Sequence, residues 1–216
     1  MLRGGSCKPV QNLLEIEAMA DIDWELAGKI TWCLCIGAWA LIRWIPNRRA
    51  RKVKIAKTSR SPSERFSMAA STAGLGIIPA LWVFTGLLDR FDHSMHPALL
   101  AAGTLLFALS LRLFRITHKA LGAMWSHSLD LRQDHRLVTT GIYERLRHPM
   151  YSAFWLWAVA QPFLLANWIG GFAGIIGFGT LYFLRIGQEE AMMEGRFGEE
   201  YRDYRKRTAR IIPGIH

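Results

Sequence analysis

The sequence predicts an all-α integral membrane protein with about five transmembrane helices, the last two forming a C-terminal helical hairpin. Three observations lead there. Of 216 residues, 51% are hydrophobic and the mean hydropathy is +0.12, while the charged 20% are crowded into a few blocks. The stretches between those blocks approach the length that a helix rising about 1.5 Å per residue needs to cross roughly 30 Å of hydrocarbon. The basic residues also divide unequally between the two sides such a chain would have: 23 of the 27 Lys and Arg fall on one side.

The apolar runs lie at 26–45, 68–88, 97–116, 151–167 and 169–186. Residues 1–25 form an N-terminal lead with acidic Glu15, Glu17, Asp21, Asp23 and Glu25. The lead lacks the apolar core and small-residue cleavage site of a signal peptide. Residues 26–116 would hold three spans with a basic cytosolic loop at 46–66. Residues 117–216 would hold two spans and a cytosolic tail, with the polar segments 117–150 and 187–216 long enough to carry function. Because Lys and Arg are retained on the cytoplasmic side of short loops, the asymmetry places the N-terminus outside and the C-terminus in the cytosol.

A net charge of +10 is compatible with nucleic-acid binding, but topology accounts for it without nucleic acid. The cluster at 48–60 reads as a juxtamembrane patch beside anionic lipid headgroups. Three cysteines, two of them (Cys33 and Cys35) inside an apolar run, give no disulfide framework. Gly170, Gly171, Gly174, Gly177 and Gly179 sit in an apolar span with no preceding strand, so they read as close helix packing rather than a dinucleotide fingerprint. The seven histidines lack the spacing of a metal site, and none is assigned.

Proline suits the first helical turn, where its missing N–H has no partner to lose. Pro149 therefore starts the fourth helix, placing Tyr143, His148 and Tyr151 around a helix N-terminus, which favours anions. The spans on either side of Asn167 and Trp168 are joined so tightly that they form an antiparallel hairpin. Arg185 and Glu189, four residues apart, share one helical face. The plain reading is a surface ion pair, but an arginine at the edge of the hydrocarbon also marks substrate paths.

Leu137-Val138-x-x-Gly141-x-Tyr143, Arg147-His148-Pro149-x-Tyr151, Arg185-x-x-x-Glu189-Glu190, Phe197-Gly198-x-x-Tyr201-x-x-Tyr204 and Pro213 closely resemble the C-terminal signature of the isoprenylcysteine carboxyl methyltransferase family. Related integral-membrane enzymes methylate phospholipid amines or small thiols. The resemblance covers about 125–216 and is specific in the order and spacing of its pieces. It implies S-adenosylmethionine (SAM) as methyl donor, bound by cytosolic segments without the soluble Rossmann methyltransferase fold. Carried over by position, His135, Leu137, Val138, Tyr143, His148, Pro149, Tyr151, Glu189 and Glu190 would bind the cofactor. Arg185 and Glu189 would be catalytic, with Arg185 meeting the substrate. Ser128 stands where the family carries a pocket glutamine, a departure that puts one cofactor contact in doubt.

The implied partner is a lipophilic or prenylated acceptor that slides in from the bilayer, with membrane lipids around it. Methyl transfer from a sulfonium is an in-line displacement that neutralises charge, so positioning and a dry site supply most of the catalysis. A carboxylate acceptor needs no base, and Arg185 would orient it through paired hydrogen bonds. An amine or thiol acceptor needs a deprotonation step, for which His148 or Glu190 would serve. The competing class is a non-catalytic membrane carrier or scaffold. It predicts polar residues at the centres of the spans and repeated halves, and neither pattern is visible.

Overall fold

Each of the five apolar runs falls mainly in helix. The computed structural model describes residues 22–50, 55–58, 61–121, 130–132 and 137–215. Helix α1 spans Trp24–Ala50, and α2 (Pro62–Thr72) continues through a π-helical turn (Ala73–Ile77) into α3 (Ile78–Thr85). Helix α4 spans Pro97–Leu121, α5 Pro149–Leu164, α6 Trp168–Phe197 and α7 Glu199–Arg207. The 46–66 loop and the 117–150 segment are tied by a short antiparallel pairing of β1 (Ile55–Thr58) with β2 (Asp130–Arg132), Ile55 opposite Arg132 and Thr58 opposite Asp130. This small pairing is an addition to the all-helical reading.

The sequence sets the helix ends by familiar chemistry. Proline opens α2, α4 and α5, where φ is already helical and no amide bond is forfeited. Ser61 caps α2 by accepting from the Glu64 N–H at 3.1 Å, and Asn167 caps α6 by accepting from the Gly170 N–H at 2.8 Å. Asn167 also donates to Asp92 Oδ1 at 2.6 Å and to the Leu88 carbonyl at 2.8 Å, which pins the start of α6 to the loop after α3. Helix α3 ends at Gly86, whose φ of +68° suits a residue without Cβ.

Among the described residues, four helical stretches are long and apolar enough to cross a membrane: Trp24–Trp44, Pro62–Thr85, Pro97–Leu121 and Trp168–Phe197. The fourth predicted span differs. Helix α5 has 16 residues, a rise of about 24 Å, because Pro162 disrupts its last turn and the chain leaves it at Leu165. Helix α6 instead runs to Phe197, eleven residues beyond the apolar run, since nothing breaks it before Gly198.

Helix α5 is central, with α4 on one side and α6 on the other; α1 lies mainly on α4, and α2 lies on α6. Ser110 Oγ donates to the Ala153 carbonyl at 2.7 Å, joining α4 to α5. Trp157 packs against Trp39, Phe107 and Phe154, and Phe178 against Tyr151, Phe154 and Trp155.

The glycine series packs helices closely. A Cβ on Gly177 would lie 2.3 Å from the Ala70 carbonyl oxygen, and one on Gly74 would lie 2.2 Å from that of Ala173, so α2 and α6 touch backbone to backbone. The π-helical turn offers the Gly74 carbonyl sideways, a common consequence of such a bulge. Buried Gln161 donates to it at 3.0 Å and to the Gly170 carbonyl at 2.8 Å, keying three helices at one point.

Gly177→Ala therefore destabilises the protein by about 1–3 kcal/mol, the usual range for overpacking. Gly37→Ala, with nothing within 4 Å of its new Cβ, leaves stability unchanged or slightly raised. Unfolding of the two variants in detergent checks the contrast.

Candidate active site

The polar centre forms where the start of α5, the far end of α6 and the C-terminal tail meet. Tyr151 near the start of α5 donates to Glu189 Oε2 near the end of α6, and Gln161 near the end of α5 bonds Gly170 at the start of α6. The two helices thus run antiparallel, and the first turn of α5 faces the polar extension of α6. His148 precedes Pro149 at the start of α5, and both are buried.

The tail folds back along the loop that leads into α5. Arg147 N–H donates to the Ala209 carbonyl at 2.8 Å, His148 N–H to the Arg210 carbonyl at 3.0 Å and Ala209 N–H to the Arg145 carbonyl at 3.3 Å. Tyr204 Oη donates to the Tyr143 carbonyl at 2.7 Å, and Ser152 Oγ to the Ile211 carbonyl at 2.6 Å. Burial pushes the Tyr143 phenol well above its ordinary pKa, with the Glu189 charge adding to the effect, so Tyr143 stays a neutral hydroxyl. Burial likewise pushes Tyr201 up to about 12, with Glu190 adding to it.

Two adjacent glutamates on α6 serve different neighbours. Glu190, 7% exposed, gathers cations. Arg147 Nε donates to its Oε1 at 3.2 Å, Arg210 Nη2 to its Oε2 at 2.9 Å, and His148 Nε2 lies 3.4 Å from Oε1. Arg147 Nη1 also donates to the carbonyls of Arg205, at 3.0 Å, and Thr208. The Arg210 guanidinium, though partly desolvated, is held above its ordinary pKa by Glu190.

Glu189 lies one helical step away, among the inner groups. Besides Tyr151, its neighbours are His148 Nδ1 at 4.0 Å from Oε1 and Arg185 Nε at 3.9 Å from Oε2. On its other side Arg185 meets α2, with Nη1 3.9 Å from Glu64 Oε1. The result is a charged row, Glu64, Arg185, Glu189, closed by Tyr151 and the His148 ring, which stacks on Tyr151 at 5.5 Å.

Tyr143, His148, Pro149, Tyr151, Arg185, Glu189 and Glu190 therefore share one neighbourhood. Leu137 and Val138 are half-buried on the connection that leads to the 3-10 turn Gly141–Glu144. His135 and Ser128 lie outside the described residues. The helix start is less open to anions than sequence suggests, because the amides of Tyr151 and Ser152 bond the His148 carbonyl and that of His148 bonds Arg210. Three charged residues escaped assignment from sequence. Arg147 stood inside a motif without a role, and Arg210 carried no local signal. Glu64 was marked only by Ser61-x-x-Glu64, the spacing of a capping box.

Residues 100–195 match the isoprenylcysteine carboxyl methyltransferase (ICMT) family. The chain is similar to the protein-S-isoprenylcysteine O-methyltransferase of Dictyostelium discoideum, 40% identical over 101 residues that make up 44% of this chain and 41% of that one. The corresponding Schizosaccharomyces pombe enzyme is 36% identical over 96 residues, again 44% and 41% of the two chains. The chain thus spans well under half the length of these two relatives. Protein-S-isoprenylcysteine O-methyltransferase B of Arabidopsis thaliana is 27% identical over 165 residues, 76% of this chain and 81% of that one. Among solved structures, the eukaryotic intramembrane Ras methyltransferase ICMT aligns at 25% identity and a TM-score of 0.49, covering 73% of this chain and 54% of that one.

Removing one member of a buried ion pair leaves the other charge uncompensated. Glu190→Gln, which strands buried Arg147, lowers stability by about 3–5 kcal/mol on that ground. Glu194→Gln touches only exposed partners, Arg202 at 2.7 Å and Arg205 at 3.2 Å, and leaves the transition nearly unmoved. Thermal unfolding in detergent separates the two.

Proposed function

Starting from the match of residues 100–195 to the isoprenylcysteine carboxyl methyltransferase family, we propose that this chain is an integral-membrane, SAM-dependent methyltransferase. Its acceptor is lipophilic, the carboxylate of a prenylcysteine or a similar molecule. The observation that carries the reading is the row of Arg185, Glu189, Tyr151 and His148 at the junction of α5, α6 and the tail.

These residues suit the donor. Glu189 is a half-buried carboxylate held by a neutral phenol, the kind of group that takes an ammonium or hydroxyl or counters a sulfonium. His148, Tyr143 and Tyr151 add polar and aromatic surface around it. His148, Tyr143, Tyr151 and Glu189 would hold the cofactor, with Pro149, Leu137, Val138 and His135 along its pocket, and Glu190 would support His148 from behind. When bound, SAM supplies an electrophilic methyl group. The protein's part is to place the acceptor and to keep water out. Arg185 orients the acceptor carboxylate through its planar fork, Tyr151 fixes Glu189, and the tail covers the junction. An ionised carboxylate acceptor requires no proton removal by any side chain.

In the same reading the N-terminus is outside, the C-terminus is cytosolic, and the catalytic region is 117–216. The donor enters from the cytosol and the acceptor laterally from the bilayer. The basic asymmetry of 23 residues among 27 supports this orientation. A C-terminal alkaline phosphatase fusion should be inactive, and an active one overturns the orientation.

Calorimetric titration of the detergent-purified protein with S-adenosylhomocysteine tests the enzyme reading, which falls if nothing binds at millimolar concentration. His148→Ala and Glu189→Ala should each weaken binding roughly tenfold to a hundredfold, the usual loss for one charged contact. Arg185→Lys keeps the charge and loses the fork. It should cut methyl transfer to a prenylcysteine analogue strongly, with little change in cofactor affinity. Transfer only to a phosphatidylethanolamine or a lipophilic thiol, indifferent to Arg185→Lys, replaces the carboxylate acceptor with the amine or thiol one.

A further inference from the structure

Glu64 lies outside the C-terminal region that the family resemblance covers, in the first turn of α2, yet it is 5% exposed and faces the reaction centre. Burying a carboxylate among apolar helices is unfavourable unless a cation accompanies it. Here that cation is Arg185, with Nη1 3.9 Å from Glu64 Oε1. Two features hold Glu64 in place. Its own amide is bonded by Ser61 Oγ at 3.1 Å, which fixes the helix start. The register of α2 on α6 is locked further along, where Ala70 meets Gly177, Gly74 meets Ala173 and Gln161 bonds the Gly74 carbonyl. Glu64 beside Arg185 continues that antiparallel register.

Arg185 therefore lies between carboxylates from two different helices, with Nη1 3.9 Å from Glu64 and Nε 3.9 Å from Glu189. One contact within its own helix would leave a long side chain to pivot. A second opposite charge on a separately fixed helix draws the guanidinium toward one position between the two carboxylates, and a fixed position is what oriented recognition of an acceptor carboxylate requires. We propose that Glu64 is a positioning residue that acts through Arg185, aiming its guanidinium at the acceptor carboxylate. The assignment rests on the methyltransferase reading above. It brings the N-terminal half of the chain into the reaction centre.

The test measures methyl transfer from labelled SAM to farnesylated N-acetylcysteine by the full chain in detergent, with S-adenosylhomocysteine binding followed in parallel. Glu64→Gln is expected to lower kcat at least tenfold, with the acceptor KM and the affinity for S-adenosylhomocysteine within threefold of the unmodified protein. Glu64→Asp, which keeps the charge on a shorter arm, should recover part of the loss. In an Arg185→Lys background Glu64→Gln should add less than twofold, because the route through the guanidinium is already gone. The proposal is overturned if Glu64→Gln turns over within threefold of the unmodified protein, or if its loss is undiminished in the Arg185→Lys background. It is also overturned if cofactor affinity falls in step with kcat, which marks a general structural role. If the unmodified protein binds no S-adenosylhomocysteine, the enzyme reading itself fails and the role of Glu64 falls with it.

Discussion

Two arginines and a histidine from two distant stretches of chain converge on one buried carboxylate, and the polar half of the structure depends on that convergence. Arg147 and His148 come from the loop before α5, Arg210 comes from the tail, and Glu190 comes from α6. Arg147 and Glu190, both buried, would each be costly alone. Together they bring the loop, the tail and the last long helix to one point. The backbone bonds between 145–148 and 208–210 follow from that placement. With Glu190 committed to the clasp, its neighbour Glu189 is left for Tyr151, His148 and Arg185. Two adjacent residues of one type thus serve different neighbours because successive helical positions point about 100° apart.

The apolar half is organised by contacts between backbones rather than between large side chains. Small residues at the crossing of α2 and α6 let the chains approach closely, as is common where helices pack in lipid. Gln161 then gives the crossing a single register by bonding carbonyls from both helices. A register fixed so firmly in the apolar region fixes what lies at the polar end. Glu64 meets Arg185 because Gly74 meets Ala173 ten residues away.

Much of this was legible in sequence because it is local. Apolar runs marked the long helices, Pro149 marked the start of α5, the glycine series marked close packing, and the four-residue spacing paired Arg185 with Glu189. What escaped depends on distance along the chain. Glu64 and Arg185 are 121 positions apart, and no periodicity links them. Arg210 looked like one more cation in a basic tail until the fold placed it on Glu190. The end of α5 falls three residues before the end of the apolar run for a different reason: hydropathy registers Pro162 and its neighbours as apolar, whereas the backbone registers the start of a break.

That shortness has a consequence for depth. Helix α5 rises about 24 Å, roughly 6 Å short of a typical hydrocarbon layer. A lipid-facing helix with such a deficit would draw the bilayer thinner around it. Helix α5 is flanked by α1, α4 and α6, each of which contains a stretch long enough to cross a membrane. The deficit is therefore met by protein rather than by lipid: at the start of α5, His148 and Tyr151 lie against the far end of α6 and the tail.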